Sequence, residues 1–450
     1  MAGTVCQFVD ALADNPNIRF DCDTDPITLL LRGTKIGAAP LNQAFNPSLM
    51  VDGGIYGSSA YGPRELVLAM LIDTSDINDA HLLIATLNRE LDRDTNLLRW
   101  QPDGAAHPVF FQTMRAQPAD VDMEMQPNGL WNVTASLQAK PFAIGLREDL
   151  AAITFANAVS GTDCYSTITG VLGDVPAPVL AWSTTKPDAN AGWYLVRGDT
   201  APVLFEIDTW TNGTDTTNVT SDATYSNSAG KSVSFATATA MTIRAQATSL
   251  ATPMSGTYRV LLRVKQSSGT DAMSLQVTLQ STGGNALVDT GEVTVPTGST
   301  AFRTVDLGLI SCPAGTILGM NAITTELYGA FVAARRVSGA GTLQIDWLAL
   351  VPAGDGTESS IVTAPSEGTA LVIDAIGDTE FFVNTSSPFT AGADVSIVNP
   401  AQRSGTSPSL KPGQTNHLVF LRYGIAALTD TTSLNVSYWP RYLFVRPAAS

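Results

Sequence analysis

Three histidines, His81, His107 and His417, are the chain's whole supply of imidazole. They stand too far apart for the ligand spacing of a zinc site, and solitary histidines of this kind read as ordinary surface or core side chains. The four cysteines, Cys6, Cys22, Cys164 and Cys312, lack C-x-x-C spacing, which points to free structural thiols, neither zinc ligands nor a disulfide framework. There is no G-x-S-x-G elbow, no Walker phosphate loop and no G-x-G-x-x-G after a strand. The 41 acidic residues supply carboxylates in plenty, yet none forms a recognisable facing pair for glycoside hydrolysis. No catalytic residue is assigned. The expectation is a protein that assembles and binds, and is not an enzyme.

Binding chemistry is easier to place. Trp210, Tyr225, Tyr258 and Tyr328 fall in the block 201–356, with Trp193 just before it. Aromatics exposed on a β-sandwich can stack on the apolar faces of pyranose rings. Trp210 precedes the polar stretch TNGTDTTN (211–218), so it is expected to be exposed. Trp210, Tyr225 and Tyr258 are the candidate saccharide-binding residues. Trp347, between Ile345 and Leu348, reads as core. Asp208 and Asp346, with Asp215, are candidate oxygen ligands for a structural calcium in the same block, although their spacing matches no EF-hand loop. No other cofactor is expected.

These residues must be positioned mostly by strands. Only 15% of residues are charged, while 37 glycines and 25 prolines punctuate stretches of Thr, Ser, Val and Ala, the vocabulary of short strands joined by turns. A length of 450 residues is too great for one core and predicts two or three. In the first segment, 27–32 and 65–72 are short apolar runs read as buried strands, with turns at 52–57 and 61–63. Ile77, Ala80, Ile84, Leu87 and Leu91 then recur at spacings of three and four, predicting a helix over 76–93 capped by Ser75 or Asp76. Strands resume at 96–100, 109–114, 121–125 and 131–139. A weak strand at 179–183 follows, then about eight strands between 202 and 352, suited to a two-sheet jelly roll. More strands fill 357–450. The expected class is mainly β, with an antiparallel sandwich and covering helix at 1–155, a second sandwich split between 156–200 and 357–450, and a jelly roll inserted at 201–356.

The net charge of −16 repels phosphate backbones and anionic headgroups, so neither sequence-specific nucleic-acid binding nor membrane insertion is expected. The N-terminus shows no basic region followed by an apolar run, hence no secretory signal is expected. Without a secretory route, the N-x-S/T matches at Asn132, Asn212, Asn218, Asn384 and Asn435 are polar surface sequence.

Two groups of motifs carry a resemblance. VDGGIYG (51–57), RELVLAMLI (64–72), the helix, and NLLRWQPDG (96–104) resemble the N-terminal belt domain of distal tail proteins of long-tailed bacteriophages. SLKPGQTNHLVFL (409–421) and LNVSYWPRYL (434–443) resemble the proline-glycine turn and closing strands of that family's C-terminal sandwich. The block from SGTYRVLLRV (255–264) to the Trp347 strand ending at Pro352 resembles a carbohydrate-binding-module jelly roll. The resemblance implies a homo-hexameric ring in the virion tail tip, made in the host cytoplasm. Its implied partners are other copies of the chain, the tail tube protein, tail-tip proteins and, through the insert, a host-surface saccharide. An acidic ring lumen would let DNA slide without adhering. The alternative is a free carbohydrate-binding or glycan-processing protein, which the missing signal weighs against.

Overall fold

The computed structural model describes residues 4–48, 51–122, 129–155, 164–183, 191–222, 225, 229–235, 240–248, 250, 254, 256–281, 287–298, 300–312, 328–354, 357–363, 370–374, 379–383, 397–400, 402–405, 408–425 and 432–443. It is mainly β: antiparallel sheets and one α-helix account for the regular structure of the described residues. The chain forms two compact units, the first made of Met1–Glu148, Leu172–Ala177 and Tyr438–Ser450, the second of Asp149–Val171 and Pro178–Ser437.

In the first unit the strands Ile18–Asp21, Val5–Val9, Thr95–Gln101, Val109–Met114, Leu130–Ala139, Arg64–Asp73 and Ile27–Leu29 pair in that order. Residue alternation sets which face goes inward. Along Arg64–Asp73, Leu66, Leu68, Met70 and Ile72 are at most 2% exposed, and Glu65 and Asp73 point outward. Removing each such side chain from water contributes roughly 1.5–3 kcal/mol. Across the ladder, Trp131, Val133, Ala135 and Leu137 of the partner strand join the same core. The helix, Ile77–Leu91, begins where its caps dictate: the Asp76 side chain accepts a hydrogen bond from Asn78 N at 2.8 Å. Ala80, Leu87 and Leu91 seal the sheet beneath it. Ile77, expected on that face, remains 47% exposed at the first turn.

The return of the C-terminus to this unit is held by close main-chain approaches. Arg441–Tyr442 pairs with Ala143–Ile144, and Asp174 N donates to the Arg441 carbonyl at 2.8 Å. Gly173, at φ +113°, has room for no side chain, since a Cβ there would lie 2.7 Å from the Arg441 oxygen. Arg64 is almost wholly buried, stacks on Phe111 and donates through Nη2 to the Leu443 carbonyl.

The second unit holds the inserted block. Two sheets face one another: Thr211–Asn212, Thr242–Ala247, Tyr328–Ser338, Ala272–Ser281 and Leu287–Asp289 in one, and Thr216–Thr220, Ala229–Ser234, Thr342–Pro352, Gly256–Gln266 and Arg303–Cys312 in the other. Their inner faces form one hydrophobic core drawn wholly from residues between Val203 and Leu350, the two-sheet arrangement of a jelly roll. The second sheet continues past the block. Arg303 and Thr304 pair with Ile425 and Gly424 of the strand Asn416–Ile425, which pairs in turn with Ala191–Gly198.

One expectation here needs correction. The glycine-rich stretch at 52–57 is not a turn but part of an eleven-residue strand, Val51–Tyr61. The first of the strands expected between 202 and 352, Val203–Glu206, is short and closes in a 3-10 turn, Ile207–Thr209. The first compact unit closes at Glu148 and takes two later segments, and the block 201–356 shares a sheet with the sequence around it. Met123 and Met125, expected on an alternating strand, lie outside the described residues.

Candidate functional site

Two features stand out as candidate interaction surfaces. The first is a hairpin in the first unit. Leu41–Ser48 pairs with Val51–Tyr61 from Leu41↔Tyr61 to Ser48↔Val51, with bulges at Ala44/Phe45 and Asn46/Ser48. Its base is anchored: Gly62 N donates to the Pro40 carbonyl at 2.8 Å, and Tyr61 meets Phe142 edge-on. Among the described residues, neither outer edge pairs with any other strand. Such an edge presents a row of unused N–H and C=O groups, a ready template for another chain.

The second is the loop 208–218 in the insert, where the sequence placed a sugar platform. The structure brings the aromatics to the core instead. Trp210, Tyr225 and Tyr258 are 7%, 1% and 4% exposed, too little to offer a ring face to a saccharide. Trp210 packs against Phe205, and Tyr225 lies edge-on to Phe302 at 4.9 Å. Tyr328 is fully buried. The side chain of Trp193 lies outside the described residues. Trp347 is core, as expected.

The reason for Trp210's inward turn is a cation that its sequence neighbours hide. Lys231, 1% exposed, donates from Nζ to the carbonyls of Asp208 and Trp210 and to Asn218 Oδ1. Fixing the Trp210 carbonyl on this ammonium draws its backbone inward. Arg244, equally buried, holds the next part of the loop through the Thr214 carbonyl at 2.7 Å and the Asp215 carboxylate at 3.2 Å, and stacks on Phe235. Gly230 makes the arrangement possible, because a Cβ there would lie 2.3 Å from the Tyr225 ring and 2.7 Å from the Ile345 oxygen. Gly230→Ala is expected to destabilise the second unit by about 1–3 kcal/mol, the usual cost of overpacking, read as a lowered denaturant midpoint. An unchanged midpoint would show that Tyr225 yields freely.

Asp208 and Asp346, the candidate calcium ligands, are each engaged separately. Asp346, fully buried, is neutralised by Arg263, whose guanidinium also lies 4.4 Å from the Phe302 ring centre. The Asp208 carboxylate accepts from Thr209 N at 2.8 Å. Each carboxylate thus has its own partner, and among the described residues no three His, Cys, Asp or Glu side chains gather to hold a metal ion.

No family model matches the sequence, and no curated protein matches it. Among solved structures, the chain is similar to SPP1 Dit, described as a paradigm of the hub adsorption apparatus of phages infecting Gram-positive bacteria. That match has a TM-score of 0.34 and 10% identity, over 99% of this chain and 100% of that one. A chain of the phage p2 baseplate in its activated conformation with Sr gives a TM-score of 0.26 and 8% identity, over 77% of this chain and 98% of that one. An isomalto-dextranase of Arthrobacter globiformis T6, complexed with panose, gives 0.25 and 11%, over 52% and 38%. Similarity of this degree assigns neither activity nor partner.

Two further features complete the survey. A cleft of about 340 Å³ opens in the first unit between Asp10, Arg19, Leu97, Gln112, Met114 and Lys140. Asp10 is tied to Asn17 by two hydrogen bonds, and those bonds hold its carboxyl below the usual range. In the second unit, the Lys411–Gln414 turn, with Gly413 at φ +70°, is clasped by buried Asn416. Asn416 Oδ1 also accepts from Nε of fully buried Arg197 at 3.0 Å.

His417, next to that clasp, bonds Thr167 Oγ1 through Nδ1 at 3.1 Å. Burial first, then the Arg197 charge, holds its imidazole below the ordinary range, with Asp199 opposing. The unfolded chain therefore takes up the proton first on acidification. Stability from this group is present above about pH 6.5 and is lost as pH falls below it. The urea midpoint is expected to drop between pH 7.5 and pH 5, and His417→Gln should remove part of that drop. The same pH dependence in both proteins would dismiss the assignment.

Proposed function

We propose that this chain is a structural component of a phage tail tip, assembling side by side with copies of itself into a ring. The observation that carries the reading is the hairpin of Leu41–Ser48 and Val51–Tyr61, long for its kind and, among the described residues, unpaired on both outer edges. Strands of 8 and 11 residues span about 25–35 Å at roughly 3.3 Å per residue. An isolated two-stranded hairpin is marginal in water, and natural proteins cover or blunt such edges. Covering by the next copy is a heterologous contact, which closes into a ring when its rotation allows. The motifs at 51–57, 64–72 and 96–104, which resemble the belt domain of distal tail proteins, lie on this hairpin and the strands next to it in sequence. A net charge of −16 fits a lumen that DNA crosses without adhering. The tail tube protein and tail-tip proteins are the proposed neighbours along the axis.

The inserted jelly roll is the proposed host-contacting part, with a surface saccharide as its ligand class. The burial of Trp210, Tyr225 and Tyr258 supports a contact made by other residues. Trp210→Ala is accordingly expected to lower thermal stability and leave any glycan-array signal of the still-folded protein unchanged; selective loss of the signal would return Trp210 to the site. Ring formation is tested by light scattering of the purified chain over a micromolar concentration series. A mass several times that of one chain is expected, and a single-chain mass at the highest concentration would count against the proposal.

A further inference from the structure

The Lys231 ammonium donates to three oxygens that converge on it. Its ligands are two main-chain carbonyls, Asp208 at 2.9 Å and Trp210 at 2.6 Å, and the amide oxygen of Asn218 at 2.6 Å. Two segments converge there: the 3-10 turn Ile207–Thr209 with Trp210 directly after it, and the strand Thr216–Thr220. Lys231 itself comes from the strand Ala229–Ser234, which pairs with Thr216–Thr220 on one side and Thr342–Pro352 on the other. Carbonyl and amide oxygens converging on one buried positive charge are the donor set of a hard-cation site.

We propose that this cage is a cation site filled from within by Lys231, and that it takes up a monovalent cation of ammonium size when that side chain is cut back. Magnitudes choose the ion. Calcium sits about 2.3–2.6 Å from its oxygens and gathers six to eight of them, carboxylates among them. Here the three hydrogen-bonding oxygens are uncharged and stand at 2.6–2.9 Å, and the Asp208 carboxylate adds its charge without being one of them, a spacing and donor set that suit potassium or an alkylammonium. Rings of neutral carbonyls hold potassium in the same way in channel filters. The consequence for the insert is that its loop 208–218 is locked by a covalently tethered cation and is indifferent to the metal content of its surroundings.

The test uses the full chain and its Lys231→Ala variant. Thermal midpoints are compared in potassium chloride, methylammonium chloride, calcium chloride and choline chloride at equal ionic strength. The parent protein should melt at one temperature in all four, and a chelator should not change it. Lys231→Ala should melt roughly 5 °C or more lower in choline chloride, with potassium or methylammonium restoring a saturable part of the loss and calcium restoring less. Equal midpoints for the variant in all four salts would overturn the proposal, as would calcium outperforming potassium. Should Lys231→Ala fail to fold, Asn218→Asp decides: a carboxylate against the ammonium should raise the midpoint at pH 7, and an unchanged or lowered midpoint would overturn the cation assignment.

Discussion

Asp346→Ala is expected to cost the second unit about 3–5 kcal/mol, the penalty of leaving one member of a buried ion pair alone. Against a total stability on the order of 5–15 kcal/mol, that loss brings much of the protein near unfolding at 37 °C. Asp346 is fully buried and Arg263 is 7% exposed at its side chain, so water cannot take over the lost partner's role. Arg263 would keep its stacking on Phe302, which is worth far less than the charge it loses. The pair itself is a different matter from its halves. Replacing both members with apolar residues of similar size, as in Arg263→Met with Asp346→Leu, should recover most of the loss, because desolvating the two charges nearly cancels their attraction. Denaturant midpoints of the two variants check this. If the single variant loses under 1 kcal/mol, the pair is not the buried link its geometry describes.

Removing the hairpin beyond its base should abolish self-assembly and leave the fold intact. The change joins Gln43 to its ladder partner Ser59 through a two-residue Asn-Gly turn, which suits a tight hairpin. Among residues 37–43, 60 and 61, whose burial is described, none belongs to the buried core of the first unit, and the base keeps its Gly62 to Pro40 hydrogen bond and the Tyr61–Phe142 contact. Melting temperature should therefore shift by only a few degrees, and the mass in solution should fall to that of a single chain. A trimmed protein that still forms the parent's assembly would place the interface elsewhere, and one that no longer folds would show the hairpin to be structural.

How far the sequence could be read depended on the range of the interaction. The helix was legible because its information is local: the three-and-four spacing of Ala80, Ile84, Leu87 and Leu91 and the Asp76 cap lie within fifteen residues of one another. Strands such as Val109–Met114 and Thr342–Pro352 were legible from their apolar runs and flanking turn formers. The hairpin strand Val51–Tyr61 was missed because Asp52, Gly53 and Gly54 are turn formers by local preference, and strand pairing with Leu41–Ser48 overrides it. The turn at 411–414 was visible in its Pro-Gly pair, but the Arg197 that Asn416 engages lies more than 200 residues away. The loop 208–218 failed for the same reason. Its polarity argued for exposure of Trp210, and nothing nearby announces that Lys231 enters from another strand to take its carbonyl. Lysine is almost never fully buried unless partnered, so no reading of the strand Ala229–Ser234 alone would place one in the core.

The proposed tail-tip role requires the chain to assemble with copies of itself. Electron microscopy of the purified chain at tens of micromolar, with the hairpin-trimmed variant beside it, tests that directly. Closed rings of a fixed number of copies in the parent, and their absence in the trimmed protein, are the predicted result; single particles in both, or rings in both, would contradict it.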